Sequence, residues 1–175
     1  NDNDGTGAGN AVANETGCLY DGCLQLDGTG DAVDVGSMSG LTGNWTISFW
    51  ANLKDSSATL YYPIGTGGQA GVYLHYTSAL WGYYDGSAIE SANTAPALDT
   101  WYHYVVVHNS STEYVYYLNG SYDGIATTSD EDITDLNIGQ RSSDNFPMNG
   151  SIDEVMIFST ALNSTQISDI YNNAS

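Results

Sequence analysis

The side-chain period constrains this chain more than any other feature of it. Trp45, Ile47, Phe49, Ala51 and Leu53 alternate with Thr46, Ser48, Trp50 and Asn52. A period of two belongs to an extended strand, whose successive side chains point to opposite faces. Comparable segments recur at 23–27, 31–36, 60–64, 71–76, 80–84, 101–108, 113–118, 122–126, 136–139 and 149–158. Between them stand Asp27-Gly28-Thr29-Gly30, Asn119-Gly120 and Asn149-Gly150, which tolerate the positive φ of tight turns. Roughly a dozen short strands with no intervening helices predict an all-β fold, a two-sheet antiparallel jelly-roll sandwich.

Two ends depart from that pattern. Residues 1–13 are rich in Gly, Asn and Asp and read as an irregular arm. At the other end Asn163 can cap a helix, with Gln166 at its third position and Ile167, Ile170 and Tyr171 on one face. A short C-terminal helix over 163–173 is therefore predicted, closing a single domain of 175 residues. Just before it, Val155 and Ile157 alternate with Met156 and Phe158. Both faces of that last strand are apolar, so it should lie deep in a sheet.

Charge excludes one class of function. Lys54 and Arg141 stand against 21 acids, a formal charge of −19. Phosphate backbones need neutralising cations, so nucleic acid is not a partner. Such a surface attracts Ca²⁺ or basic partners; adaptation to salt, or a lysine-poor secreted chain, accounts for it equally. No apolar run approaches the ~20 residues of a membrane helix, so membrane insertion is not expected. The chain opens on Asn1 with no signal peptide, so it is read as processed or as beginning partway through a longer one.

Cys18 and Cys23, with no His beside them, do not make a zinc site. They are read as a disulfide in preference to two free thiols, which implies an oxidising compartment. Seven N-x-S/T sequences, at Asn14, Asn44, Asn109, Asn119, Asn149, Asn163 and Asn173, are acceptors for N-glycans if the chain is secreted. Asn119 and Asn149 also sit in Asn-Gly-Ser turns that geometry favours. An extracellular or cell-surface protein is expected.

These segments also carry a resemblance. Leu24-Gln25-Leu26-Asp27-Gly28-Thr29-Gly30-Asp31-Ala32-Val33 and Trp45-Thr46-Ile47-Ser48-Phe49-Trp50 resemble strand signatures of laminin-G-like (concanavalin-A-like lectin/glucanase) domains. So do Thr100-Trp101-Tyr102-His103-Tyr104-Val105-Val106-Val107, the strand 113–120 and Asn149-Gly150-Ser151-Ile152-Asp153-Glu154-Val155 through Leu162. The resemblance covers about residues 4–170 and implies two stacked antiparallel sheets, mostly extracellular, used for glycan or protein adhesion. It departs at Ala32, where the family usually has Tyr. It departs again at the front, where an aromatic strand that normally pairs near the last one has no counterpart. Its absence would leave the last strand open to strand addition; residues lost from the front would account for it equally.

The fold also hosts glycoside hydrolases, which need two carboxylates about 5–10 Å apart. The retaining enzymes of this fold carry Glu-x-Asp-x-x-Glu, which does not occur here. Asp153 and Glu154 are adjacent and must point to opposite faces. His75, His103 and His108 lie within strands and read as packed or exposed strand histidines. The chain is read as non-catalytic.

Two binding chemistries remain. Asp27, Asp31 and Asp153 are candidate ligands for a structural Ca²⁺, with ordinary turn acids as the alternative. Related domains often hold Ca²⁺ at the sandwich rim, which the resemblance would bring to these residues. For a glycan, Trp50, Tyr76, Trp81, Tyr83, Tyr84 and Asp85 are the candidate contacts; core packing is the alternative for the aromatics. Trp50 stands out because its strand-mates Thr46, Ser48 and Asn52 are polar.

Two functions are expected from this. One is a non-catalytic extracellular module that recognises glycan or protein. The other is a structural subunit of a glycosylated surface filament or layer, in which each copy completes its neighbour's sheet.

Overall fold

The computed structural model describes residues 5–54, 60–75, 80–85, 89–109, 113–127, 132–141 and 146–173. Among these residues the strands, numbered along the chain, form two sheets of seven. The first has the spatial order β1 (Thr6–Ala8), β4 (Ala32–Leu41), β13 (Ile133–Ile138), β6 (Leu60–Gly65), β7 (Gly71–His75), β8 (Leu80–Tyr84) and β9 (Ile89–Ser91). The second runs β12 (Ser121–Thr127), β11 (Glu113–Leu118), β10 (Trp101–His108), β5 (Trp45–Leu53), β14 (Asn149–Phe158), β3 (Cys23–Asp27) and β2 (Val12–Asn14). One helix, α1 (Ser164–Asn173), follows. This is the antiparallel sandwich that the alternation predicts.

The core is an aromatic seam between the sheets. Trp45, Ile47 and Phe49 of β5 are fully buried, as are Tyr114 and Tyr116 of β11. From the opposite sheet Trp81 meets Tyr104 and Tyr116 edge-on, with ring centroids 5.0 and 5.4 Å away. Tyr83 packs against Trp45 and Tyr114 at 5.3 and 4.6 Å. Inner faces of stacked sheets interdigitate in this way, and tilted or edge contacts suit the quadrupoles of the rings.

The outer face of β5 is covered too. Thr46, Ser48, Trp50 and Asn52 are all buried despite three of them being polar. The chain after β14 folds back over this face. Thr46 Oγ1 donates to the Thr160 carbonyl at 2.8 Å and accepts from the Leu162 N–H at 3.0 Å. Helix α1 then lies across the sheet, packing Ile167 with Val105, Val107 and Leu162. It starts with the predicted capping box: Gln166 N–H donates to Asn163 Oδ1, and Asn163 N–H to Gln166 Oε1, both at 3.0 Å.

Three expectations about the ends change. The arm over 1–13 contains β1 and β2 and is not wholly irregular, because the Asn10 N–H bonds to Asp31 Oδ1 at 2.7 Å and ties it to the sandwich. Strand β13 starts at Ile133, three residues before the expected segment 136–139. Strand β14 lies deep only in its first half. Asn149 to Ile152 pair with β3 on one side, and β5 flanks the strand on the other from Gly150 onward. At Glu154, with φ of +48°, a bulge breaks the register between Asp153 and Met156. Beyond it Val155–Phe158 are half-buried.

Candidate ligand-binding site

The residues expected to grip a ligand do not gather on one surface. Trp81 and Tyr83 are fully buried in the core. Trp81 Nε1 donates to Asp123 Oδ2 at 2.9 Å, and the Tyr83 hydroxyl lies 2.6 Å from Thr66 Oγ1. Their place is structural, a correction that follows from β8 turning Trp81 and Tyr83 inward while Leu80 and Tyr84 face out. Trp50 does lie on the outer face, but only 7% of it is exposed. Tyr171 stacks on it at 5.5 Å, Tyr20 meets it edge-on at 6.3 Å and His103 lies 5.2 Å away, so no ligand face is left open. Asp85 is buried and Tyr84 half-buried. Tyr76 lies outside the described residues.

The three acids expected to hold Ca²⁺ also separate. Asp27 and Asp31 share a turn, but N–H donors already occupy their oxygens. Asp31 accepts from the backbones of Asn10 and Asp27. Asp27 accepts from the Asn10 side chain at 3.1 Å and the Thr29 backbone at 2.8 Å. These bonds, the Asn10 amide first, hold the Asp27 carboxyl below its ordinary pKa. Asp153 instead accepts from the Tyr20 N–H at 3.3 Å. It lies four residues along β14 from Asn149, the partner of Asp27, or about 13 Å. Among the described residues no group of three His, Cys, Asp or Glu is placed to hold a metal. The three acids do not converge on one cage: Asp27 and Asp31 accept N–H bonds in a turn, and Asp153, in β14, accepts from Tyr20.

Cys18 and Cys23 are disulfide-bonded, as expected, with Cα atoms 5.3 Å apart. Of the acceptor asparagines, Asn44, Asn109, Asn163 and Asn173 are exposed, and Asn14, Asn119 and Asn149 are half-buried. Asn119 Oδ1 accepts from the His103 N–H at 2.9 Å, so that side chain also secures its turn.

A different cleft combines the features a ligand needs. It has a volume of about 340 Å³ and lies on the outer face of the second sheet, beside the start of α1. Val107 and Val115, paired across β10 and β11, form its floor. Tyr117 closes one side, and Ala161, Leu162, Asn163 and Ser164 the other, with Asn109 at the end. Strand β12 sets Tyr122 opposite Tyr117, with the rings edge-on at 6.1 Å and 86°. Tyr122 is 60% exposed. Burial first, and then the neighbouring Tyr122, raises the Tyr117 hydroxyl above its ordinary value of 10, so it stays protonated at neutral pH. An apolar floor, an exposed ring and a rim of amides and hydroxyls can stack a flat apolar surface and read polar groups around it.

Sequence reasoning missed this site because its walls lie more than forty positions apart, at 107–117 and 161–164. One signal was available. Tyr114 and Tyr116 alternate with Val115 and Tyr117, so one pair must face away from the core.

Known proteins match this geometry at the level of the fold. The family model of the concanavalin A-like lectin/glucanases superfamily, of laminin-G type, matches residues 27–168. The chain belongs to this superfamily. No curated protein matches it in sequence. Among solved structures, the binding domain of botulinum neurotoxin DC in complex with SialylT superposes with a TM-score of 0.75 at 15% identity, covering 98% of this chain and 47% of that one. Domain 4 of AbnA, an extracellular arabinanase from Geobacillus stearothermophilus, in complex with arabinotriose, gives 0.70 at 16%, covering 93% and 82%. Trypanosoma rangeli sialidase gives 0.70 at 15%, covering 94% of this chain and 29% of the sialidase. The chain thus spans less than a third of the sialidase and about half of the toxin domain. At these identities the likeness is one of fold, a lectin-like jelly roll.

Proposed function

We propose that this lectin-like domain is a non-catalytic recognition module that binds glycan outside the cell, and that it does so in the Tyr117–Tyr122 cleft. The observation that carries the reading is a cleft with an apolar floor of Val107 and Val115, edged by Tyr117 and by the amides of Asn109 and Asn163, with the largely exposed Tyr122 held edge-on to Tyr117 at its margin. A pyranose or furanose ring offers an apolar C–H face to an aromatic and hydroxyls to amides. Structures of the same fold hold arabinotriose and SialylT, which supports the assignment to sugars. The disulfide supports placement in an oxidising compartment. Binding rather than catalysis is favoured by a lining of amides, two hydroxyls and apolar groups.

The test is a glycan array probed with the wild-type chain and with Tyr122→Ala. Tyr122 is exposed, so its removal should leave the fold intact. Retention on the preferred glycans should fall at least about tenfold, while Phe146→Ala, on the other sheet's side, should retain wild-type binding. Equal retention by Tyr122→Ala and wild type would remove the cleft from consideration.

A further inference from the structure

The rim of the Tyr117–Tyr122 cleft holds an amide placed for modification. Asn163 lines the cleft and begins Asn163-Ser164-Thr165, an N-x-T acceptor sequence. It also caps α1, and the cap decides how its side chain lies. Oδ1 accepts from the Gln166 N–H at 3.0 Å, so the carbonyl corner of the planar amide turns into the helix. The Asn163 backbone is held as well: its N–H donates to Gln166 Oε1 and its carbonyl accepts from the Ile167 N–H, each at 3.0 Å. Nδ2, at the opposite corner, points away from α1 and has no partner among the described residues. The residue is exposed.

Two other acceptors are placed differently. Asn14 is half-buried, its Nδ2 donating to Gln25 Oε1 at 2.9 Å and its Oδ1 accepting from the Thr16 N–H at 3.0 Å. The Nδ2 of Asn173 donates to the Asp169 carbonyl at 2.7 Å. A sugar on either nitrogen crowds an existing hydrogen bond. One on Asn163 disturbs none, and it leaves the Oδ1 carbonyl in place, so the cap survives it.

We infer that Asn163 carries an N-glycan when the chain passes through a glycosylating secretory route, and that this glycan closes the cleft to free sugars. The Cys18–Cys23 disulfide supports such a route. The step is a transfer from a lipid-linked oligosaccharide phosphate, catalysed by the cell's oligosaccharyl transferase. The Nδ2–C1 bond forms and the C1–O bond to phosphate breaks. The lipid phosphate leaves with the electron pair, and one amide proton passes to solvent. The first sugars then start at the rim, beside Tyr117 and the Val107–Val115 floor. A ligand on a short flexible tether acts at an effective concentration of about millimolar, so a free glycan must compete with it for one small space. The occupancy stands on the geometry of Asn163 alone; the closure rests on the cleft being the binding site proposed above.

The test compares three preparations, all carrying Ser111→Ala so that the acceptor Asn109, at the end of the cleft, stays unmodified. One is secreted from a eukaryotic cell line. The second is secreted likewise with Thr165→Ala, and the third is made in a bacterial periplasm that attaches no N-glycan. Thr165 is not part of the cleft lining, and its replacement removes the acceptor sequence while Asn163 and its cap remain. Glycopeptide mass spectrometry of the first should find sugar at Asn163 and none at Asn14. Its retention on the glycan array should be at least about tenfold below that of the other two, which should match each other.

An unmodified Asn163 in the secreted chain overturns the inference, whether or not other acceptors carry sugar. So does a glycosylated Asn163 whose retention equals that of the Thr165→Ala chain. If the periplasmic chain binds equally with and without Tyr122→Ala, the cleft reading itself fails and the closure with it, while the occupancy of Asn163 is still read from the mass.

Discussion

At the scale of single residues, the structure depends on buried polar groups that find partners inside the core, Asp123 foremost. Asp123 is 8% exposed yet accepts from Trp81 Nε1 at 2.9 Å and from both the backbone and the hydroxyl of Thr94. Removing this carboxylate strands an indole N–H in the core, where an unsatisfied donor costs ~1–3 kcal/mol. Asp123→Ala should therefore lower unfolding free energy by about 2–4 kcal/mol in urea titration. Trp81→Phe, which removes the donor as well, should be milder than a truncation to Ala.

His103 gives a residue-scale pH dependence. It is fully buried beneath Trp50 and Tyr171, with Nε2 2.8 Å from Ser48 Oγ. Burial lowers its pKa from 6.5 to about 4. The unfolded chain therefore takes up a proton below about 6.5 that the folded chain refuses until about 4. Stability is whole above pH 6.5 and falls as the pH drops through that window, by up to about 3 kcal/mol from this group. Comparing wild type with His103→Gln at pH 7 and pH 5 isolates it: the wild type should lose the greater share of its stability.

At the scale of elements, the turns and caps divide into those the sequence revealed and those it concealed. The Asn163–Gln166 capping box was legible because its pattern is local, and Asn163→Ala should cost about 1 kcal/mol in thermal unfolding. The Asp27–Asp31 turn was legible as a turn but ambiguous in role, since the same acids suit Ca²⁺ or backbone N–H groups. With those oxygens taken by N–H donors, excess EDTA should leave the melting temperature within about 1 °C. A fall of several degrees would restore the metal. The Cys18–Cys23 bond closes a loop of sequence separation 5, and reducing it should cost about 2 kcal/mol.

Strand β8 shows why the ligand contacts were misplaced. Leu80, Gly82 and Tyr84 alternate with Trp81 and Tyr83, so aromatics occur on both faces. Alternation divides such a strand into two faces without saying which is inner. The partners that decide it, Tyr104 and Tyr116, lie on strands of the other sheet. Trp50 failed for a related reason. Its polar neighbours do mark an outer face, yet a segment more than a hundred residues later covers that face.

At the scale of the whole molecule, the fold was legible because strand period and turn chemistry recur throughout the chain and agree with one another. The candidate site was not, because it exists only where β10, β11 and β12 meet the returning C-terminal segment. The charge also acts at this scale: 21 acids against two basic residues give the domain a formal charge of −19, whose long-range field weakens as salt rises. A lectin-like sandwich with a furnished cleft on its second sheet is the resulting account.

Its most direct test is a heteronuclear NMR titration of the isotope-labelled chain with a glycan that it retains. Shift changes should centre on Asn109, Val115, Tyr117, Tyr122 and Asn163, and fade toward the first sheet. Changes centred on the first sheet or on the Asp27–Asp31 turn, with the Tyr117 and Tyr122 signals unmoved, would contradict it.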